Sequence, residues 1–157
     1  MDDKIVKQNI ISLWNKAYIN YDECYAHGLK SEEEKQEWLK FLKKVIGKQP
    51  YSVLDVGAGT GFVSLLLAEL GYTCKGIDLS ENMLSKAKEK AEKAGFHNVT
   101  FAIGDAEDTK EPAEQYDIVI NRHLVWTLPH PEKVSFFHFI YYLDSAPPST
   151  RHPDTLA

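Results

Sequence analysis

Asp55, Gly57, Gly59 and Gly61 stand at alternating positions within LDVGAGTG, residues 54–61. Glycine lets the backbone adopt left-handed angles and lets a ligand touch main chain with no side chain between. An apolar run precedes the glycines and a helix-like run follows. The bend therefore joins a strand to a helix, whose first N–H groups and positive dipole end suit a ligand with an anionic group. Two further carboxylates follow. Asp78 closes KGID, seventeen positions after Gly61, and Asp105 follows the apolar FAIG. A carboxylate at the end of a parallel strand can accept from both hydroxyls of a ribose. One strand over, a second can accept from an adenine amine. Each residue also has a plainer use. The glycines suit an ordinary strand–helix turn, and Asp105 suits a turn after Gly104. Asp78 suits a helix cap, although Ser80 already holds that position. Three acids at successive strand ends, with one glycine bend among them, favour a shared site over separate accidents.

Two familiar phosphate cradles do not fit. A P-loop requires GxxxxGK[ST], and no such lysine follows the glycines. A dinucleotide fingerprint, GxGxxG, requires glycine at position 62, where Phe62 stands. That disfavours a nicotinamide-type oxidoreductase.

The elements that must hold these residues are legible from periodicity. Ile5, Ile10, Leu13, Trp14 and Ala17 recur at helical spacing over residues 4–18. Ser31 and Glu34 form a capping-box pattern for a helix ending at Gly47. Strands follow at Tyr51–Val56, Thr73–Ile77, Val99–Ile103 and Tyr116–Ile120. Helices fall between them, from Phe62 to Leu70 and from the Ser80 cap to Ala94. Alternation of strand and helix predicts a Rossmann-like parallel sheet flanked by helices. Right-handed crossovers put all strand C-terminal ends on one rim, where such sheets bind ligands. A single domain over residues 1–143 is expected, with N-terminal helices or a lid at 1–48 and a cofactor-binding core at 50–128.

Composition bounds the rest. The chain has 157 residues, 43% hydrophobic and 26% charged, with a net charge of −5. That balance disfavours an electrostatic grip on nucleic acid. No apolar run approaches the roughly 20 residues that span a bilayer. MDDKIVKQN lacks the plan of a signal peptide, and Cys24 and Cys74 form no CxxC. A cytoplasmic protein with no membrane partner is the expectation. The histidines show no metal-ligand spacing.

VLDVGAGTGFVSLLLAELGYTCKGIDLSENML resembles the class I S-adenosylmethionine-dependent methyltransferases, in the small-molecule branch that includes quinone-biosynthesis enzymes. The similarity runs from about residue 14 to residue 133. It implies S-adenosylmethionine as cofactor and a small molecule as methyl acceptor. Gly57, Gly59 and Gly61 would line the methionine end, and Asp55 would hold the loop or the amino group. Asp78 would take the ribose, Leu79 and Met83 would pack on the adenine, and Asp105 with Ala106 would read its edge. Asn121 would offer a backbone carbonyl to the methionine ammonium. WNKAYINYDE resembles the family's lid, with Tyr21 closing over the cofactor. His123, just past the fourth strand, is a candidate base, and Trp126 suits either an acceptor-pocket wall or the core. A catalytically incomplete cofactor-binding module is the rival reading.

The chain departs from the family after HPEKV. The family's C-terminal strands are expected to be missing, replaced by FFHFIYYLDSAPPSTRHPDTLA, which carries no lysine although 16 precede it. Such a change of composition is what a frameshift or truncation would leave. Pro131 to about Leu143 reads as a helix and residues 144–157 as a loose tail. The fourth strand would then stand at a sheet edge, which is a pairing hazard. The tail could pack back over that edge, or two chains could form a homodimer through it.

Overall fold

The computed structural model describes residues 2–24, 27–112, 115–136 and 140–142. In chain order its elements are α1 (Asp3–Ala17), α2 (Glu32–Ile46), β1 (Ser52–Val56), α3 (Phe62–Glu69), β2 (Thr73–Asp78), α4 (Glu81–Ala94), β3 (Val99–Ile103), β4 (Ile118–Asn121) and β5 (Ile140–Tyr142). Short 3-10 turns occur at Tyr21–Glu23, Val125–Thr127 and Pro131–Phe136. Helices begin where the chain supplies an oxygen to otherwise unpaired N–H groups. The Asp2 carboxylate accepts from Lys4 N before α1, Ser31 Oγ from Glu34 N before α2, and Ser80 Oγ from Met83 N before α4. Gly95 ends α4 in the left-handed conformation that suits a glycine C-cap.

All five strands are parallel, in the order β3-β2-β1-β4-β5. β1 sits at the centre, and the direction of winding reverses between it and β4. Register brings the strand ends level: Val56 pairs with Ile77, Asp78 with Ile103, and Asp55 with Ile120. The residues that follow β1, β2, β3 and β4 thus emerge on one rim.

Alternation along β1 divides its side chains between two cores. Val53 joins Trp38, Leu42, Leu67, Ala87, Phe101 and Ile120 on the face covered by α2, α3 and α4. Leu54 and Val56 join Ile77, Val119 and Val134 on the other. Each fully buried aliphatic side chain contributes roughly 1.5–3 kcal/mol. No described helix is long and apolar enough to cross a membrane.

The C-terminal part corrects two expectations. The helix expected from Pro131 to Leu143 is instead a short 3-10 turn followed by β5; residues 137–139 and Leu143 lie outside the described residues. Ile-Tyr-Tyr is β-branched and aromatic, a composition that fits a pleated strand better than a helix. β4 offers an open row of N–H and C=O groups, and β5 takes it, with Val119 opposite Ile140 and Asn121 opposite Tyr142. β4 is therefore not the sheet edge, and the homodimer expected through it loses its surface. The expected tail at 144–157 lies outside the described residues.

Gly76 shows how tightly the sheet is packed. A Cβ there would lie 2.7 Å from Phe101 Cδ1 and 2.8 Å from Ala58 Cβ. Gly76→Ala is expected to destabilise the fold by about 1–3 kcal/mol through overpacking, read as a lowered urea midpoint with an unchanged slope.

Candidate functional site

The glycine bend is anchored from beneath. The N–H groups of Gly57 and Ala58 both donate to Ile77 O, at 2.8 and 3.0 Å, which ties the loop to the end of β2. Gly57 has φ of +75°, and a Cβ there would meet Leu124 at 2.7 Å. Only glycine suits both conditions.

Asp78 is the second anchor. Its Oδ2 accepts from Gly59 N at 2.9 Å and its Oδ1 from Ser80 N at 2.8 Å. One carboxylate thus links the glycine bend to the start of α4. Burial pushes its pKa above the ordinary carboxylate value, against the opposing pull of the N–H groups of Ser80, Gly59 and Leu79.

These residues wall an open cleft. Of the residues expected at the site, Tyr21, Gly57, Gly59, Asp78, Leu79, Met83, Asp105, Ala106 and His123 line it. Three do not. Gly61 lies beneath the loop as the N-cap of α3, where a Cβ would touch Ala87 and Phe101; it serves packing. Asp55 is buried, its Oδ2 accepting from Ser64 Oγ at 2.6 Å, and it faces a smaller adjoining cavity. Asn121 is fully buried, and its side-chain amide has no hydrogen-bond partner among the described residues. Trp126 is 63% exposed, so it is no core residue. Its ring meets His123 edge-on at 5.2 Å.

The N-terminal segment roofs the cleft. Lys7, Ile10 and Trp14 of α1 reach into it. Lys7 Nζ lies 2.5 Å from Asp105 and 2.7 Å from Glu107. Burial opposes the ammonium, but the two carboxylates outweigh it and hold the Lys7 pKa above its ordinary value. Asn15 Oδ1 accepts from Ser80 Oγ, and Asn82 donates to Asn15 O. Asp22 binds Thr60 Oγ1 of the glycine bend and Lys90 of α4. Tyr21 packs between Trp14 and His27, and burial pushes its pKa up to about 12, so it stays neutral. His27 is pushed down, first by burial and then by the charges of Arg122 and Lys30.

Sequence reasoning missed Lys7, His27 and Arg122. The helical pattern of α1 gave no hint that Lys7 turns inward. Arg122 carried a faint signal: it is one of only two arginines among 18 basic residues. Among the described residues, no three His, Cys, Asp or Glu side chains cluster as metal ligands.

A parallel sheet with a glycine bend after β1 and carboxylates after β2 and β3 is the arrangement of class I S-adenosylmethionine-dependent methyltransferases. Residues 48–137, more than half of the chain, match the methyltransferase-domain family Methyltransf_31, and the chain belongs to that family. It is 32% identical over 96 residues to the ubiquinone biosynthesis O-methyltransferase of Coxiella burnetii, covering 61% of this chain and 41% of that protein. It is 41% identical over 83 residues to the phosphatidylethanolamine N-methyltransferase of Cereibacter sphaeroides, covering 52% of this chain and 40% of the relative. The chain thus spans about two fifths of the length of these curated relatives. Its fold is like that of magnesium protoporphyrin IX methyltransferase from Synechocystis PCC 6803, solved with bound SAM. There the TM-score is 0.64 at 23% identity, covering 85% of this chain and 67% of that one.

Asp55 gives the site a pH signature. Burial raises its pKa to about 6, against the Ser64 hydrogen bonds; the charge of Asp78 raises it further and that of Arg122 lowers it. In the folded state the protonated form is held to a higher pH than in the unfolded chain, so stability falls as pH rises through the interval from about 4 to about 6. At roughly 1.4 kcal/mol per pH unit, wild type is expected to lose about 2 kcal/mol between pH 4.5 and 7.5 through this group. Asp55→Asn removes that loss, whereas the share from Asp78 remains. Urea denaturation of both proteins at the two pH values checks this.

Proposed function

We propose that this chain binds S-adenosylmethionine in the roofed cleft and directs its methyl group to a small-molecule acceptor. The observation that carries the reading is Asp78, a half-buried carboxylate at the end of β2 that faces the cleft beside Gly57 and Gly59. Its remaining acceptor capacity suits the two ribose hydroxyls. Leu79, Met83 and Ala106 supply an apolar slot for a purine, and Asp105 supplies an acceptor for its amine once Lys7 withdraws. At Gly59 a Cβ would come no nearer than 3.9 Å to Tyr21, so the main chain there is open to a ligand.

S-Adenosylmethionine supplies a sulfonium-bound methyl: an acceptor lone pair forms the new bond to carbon while the carbon–sulfur pair returns to sulfur. The protein's share is alignment and exclusion of water. Tyr21 and Trp14 close the roof. His123 lines the cleft between the rings of His27 and Trp126, where it can take a proton from an acceptor that must lose one. The net charge of −5 favours a small molecule over nucleic acid. The relatives' names include both O- and N-methylation, so the acceptor atom is left open. A binding module without turnover is the second reading, favoured by the openness of the acceptor side at Trp126.

Calorimetry with S-adenosylhomocysteine and NAD tests the reading. The chain is expected to bind the first and ignore the second. Asp78→Asn is expected to weaken S-adenosylhomocysteine roughly tenfold to a hundredfold, the worth of hydrogen bonds to a charged group. Undiminished affinity in that variant would sink the assignment. Transfer of labelled methyl to candidate phenols and amines then separates turnover from binding alone.

A further inference from the structure

The cleft has two chemically unlike ends. Following the rim from β3 to β4, the residues at or just past each strand's end read Asp105, Asp78, Gly57 and Arg122. Three strand spacings cover about 14 Å. Along that distance the rim passes from carboxylate to carboxylate to bare backbone to guanidinium.

Arg122 is held at its end of this series by stacking. Its guanidinium carbon lies 4.1 Å from the centroid of Phe62 and 5.3 Å from that of Trp38. Those two rings meet edge-to-face at 5.3 Å, and Trp38 is fully buried. Cation–π contact on two fixed rings sets both the place and the plane of the charge. Lysine, with its compact ammonium on a flexible stem, has no such plane. In a chain with 16 lysines and two arginines, an arginine here is suited to bidentate recognition of a carboxylate.

Its surroundings point the same way. Arg122 lines the main cleft and also the smaller cavity shared with Asp55, Gly57, Thr60 and Phe62. That cavity also borders the start of α3, through Phe62 and Val63. Asp55 on its wall already takes the hydrogen bonds of Ser64 in the first turn, so the guanidinium is the positive side chain among its lining residues. His123, on the proposed acceptor side of the cleft, does not line this smaller cavity.

We propose that Arg122 anchors the α-carboxylate of the methionine portion of S-adenosylmethionine. The proposal rests on the cofactor reading above. The carboxylates hold the nucleoside, the bare glycine backbone passes the sulfur, and the stacked guanidinium fixes the far end. An extended nucleoside bearing an amino-acid chain on its 5′ carbon covers the span. Arg122 so placed is a cofactor-positioning residue: it sets the distance the methyl group stands from the acceptor side.

The test compares S-adenosylhomocysteine with its decarboxylated analogue, which keeps the nucleoside, thioether and amine. Calorimetry is run on wild type, Arg122→Gln and Arg122→Lys. Wild type is expected to prefer the carboxylate form roughly tenfold to a hundredfold. Arg122→Gln is expected to bind the two ligands within about twofold of each other while holding the decarboxylated analogue as wild type does. Arg122→Lys, which keeps the charge but not the fork, is expected to retain part of the preference. Equal binding of both ligands by wild type overturns the Arg122 assignment and leaves the cofactor reading standing. The full preference surviving in Arg122→Gln overturns it as well, and so does its survival in Arg122→Lys if the glutamine variant does not fold. Binding of neither ligand by wild type is a failure of the cofactor reading itself.

Discussion

The Asp78 carboxylate holds together two backbone segments that would otherwise be independent. One oxygen takes the Gly59 N–H and the other takes the Ser80 N–H. The glycine bend has no side chains with which to fix itself, so its shape depends on such outside contacts. The start of α4 needs its own cap, and Ser80 can supply it only when its backbone is correctly placed. A neutral residue at 78 could not satisfy both donors equally well, because hydrogen bonds to an ionised acceptor are the stronger kind. The cost is the desolvation of a carboxylate, evident in its upward-shifted pKa. The fold tolerates that cost because the same charge serves the loop, the helix and the proposed ligand.

Around this anchor the site is built from groups whose charges are constrained before any ligand arrives. Asp55 sits behind the bend with Ser64 as its donor. Arg122 lies on Phe62 and Trp38, and Tyr21 is kept neutral by burial. Such preorganisation would serve the proposed methyl transfer, which asks chiefly for alignment. The roof is less firmly built. α1 has no buried residue of its own, and the roof is fastened mainly by polar contacts, through Lys7 and Asn15 of α1 and Asp22 of the turn that follows it. Few apolar contacts and many polar ones are the marks of a segment that opens at low cost.

Much of this was readable from local sequence, because local rules govern it. The four leading strands and the helices between them follow from period, caps and glycines, and Ser31 and Ser80 cap as their patterns indicate. The rim acids were legible because strand direction alone decides which end they occupy. What escaped was set by contacts distant in sequence. Gly61 looks identical to Gly57 and Gly59 in the motif, yet it is required by Ala87 and Phe101. Lys7 reaches Asp105 across 98 positions. The β5 segment gives no clear period in sequence because its run is aromatic, and its pairing depends on the vacancy beside β4. Arg122 needed the rings of Trp38 and Phe62, which no spacing rule connects.

The Lys7 contact has one more implication, for the solvation of the adenine end. An ammonium lies between Asp105 and Glu107 while the roof is shut. A purine entering that corner would bring an exocyclic amine, which is also a donor. One donor then replaces another, and the displaced ammonium regains water at the surface. Asp105 then keeps a donor in the filled cleft as in the empty one, and Glu107 keeps the His130 N–H.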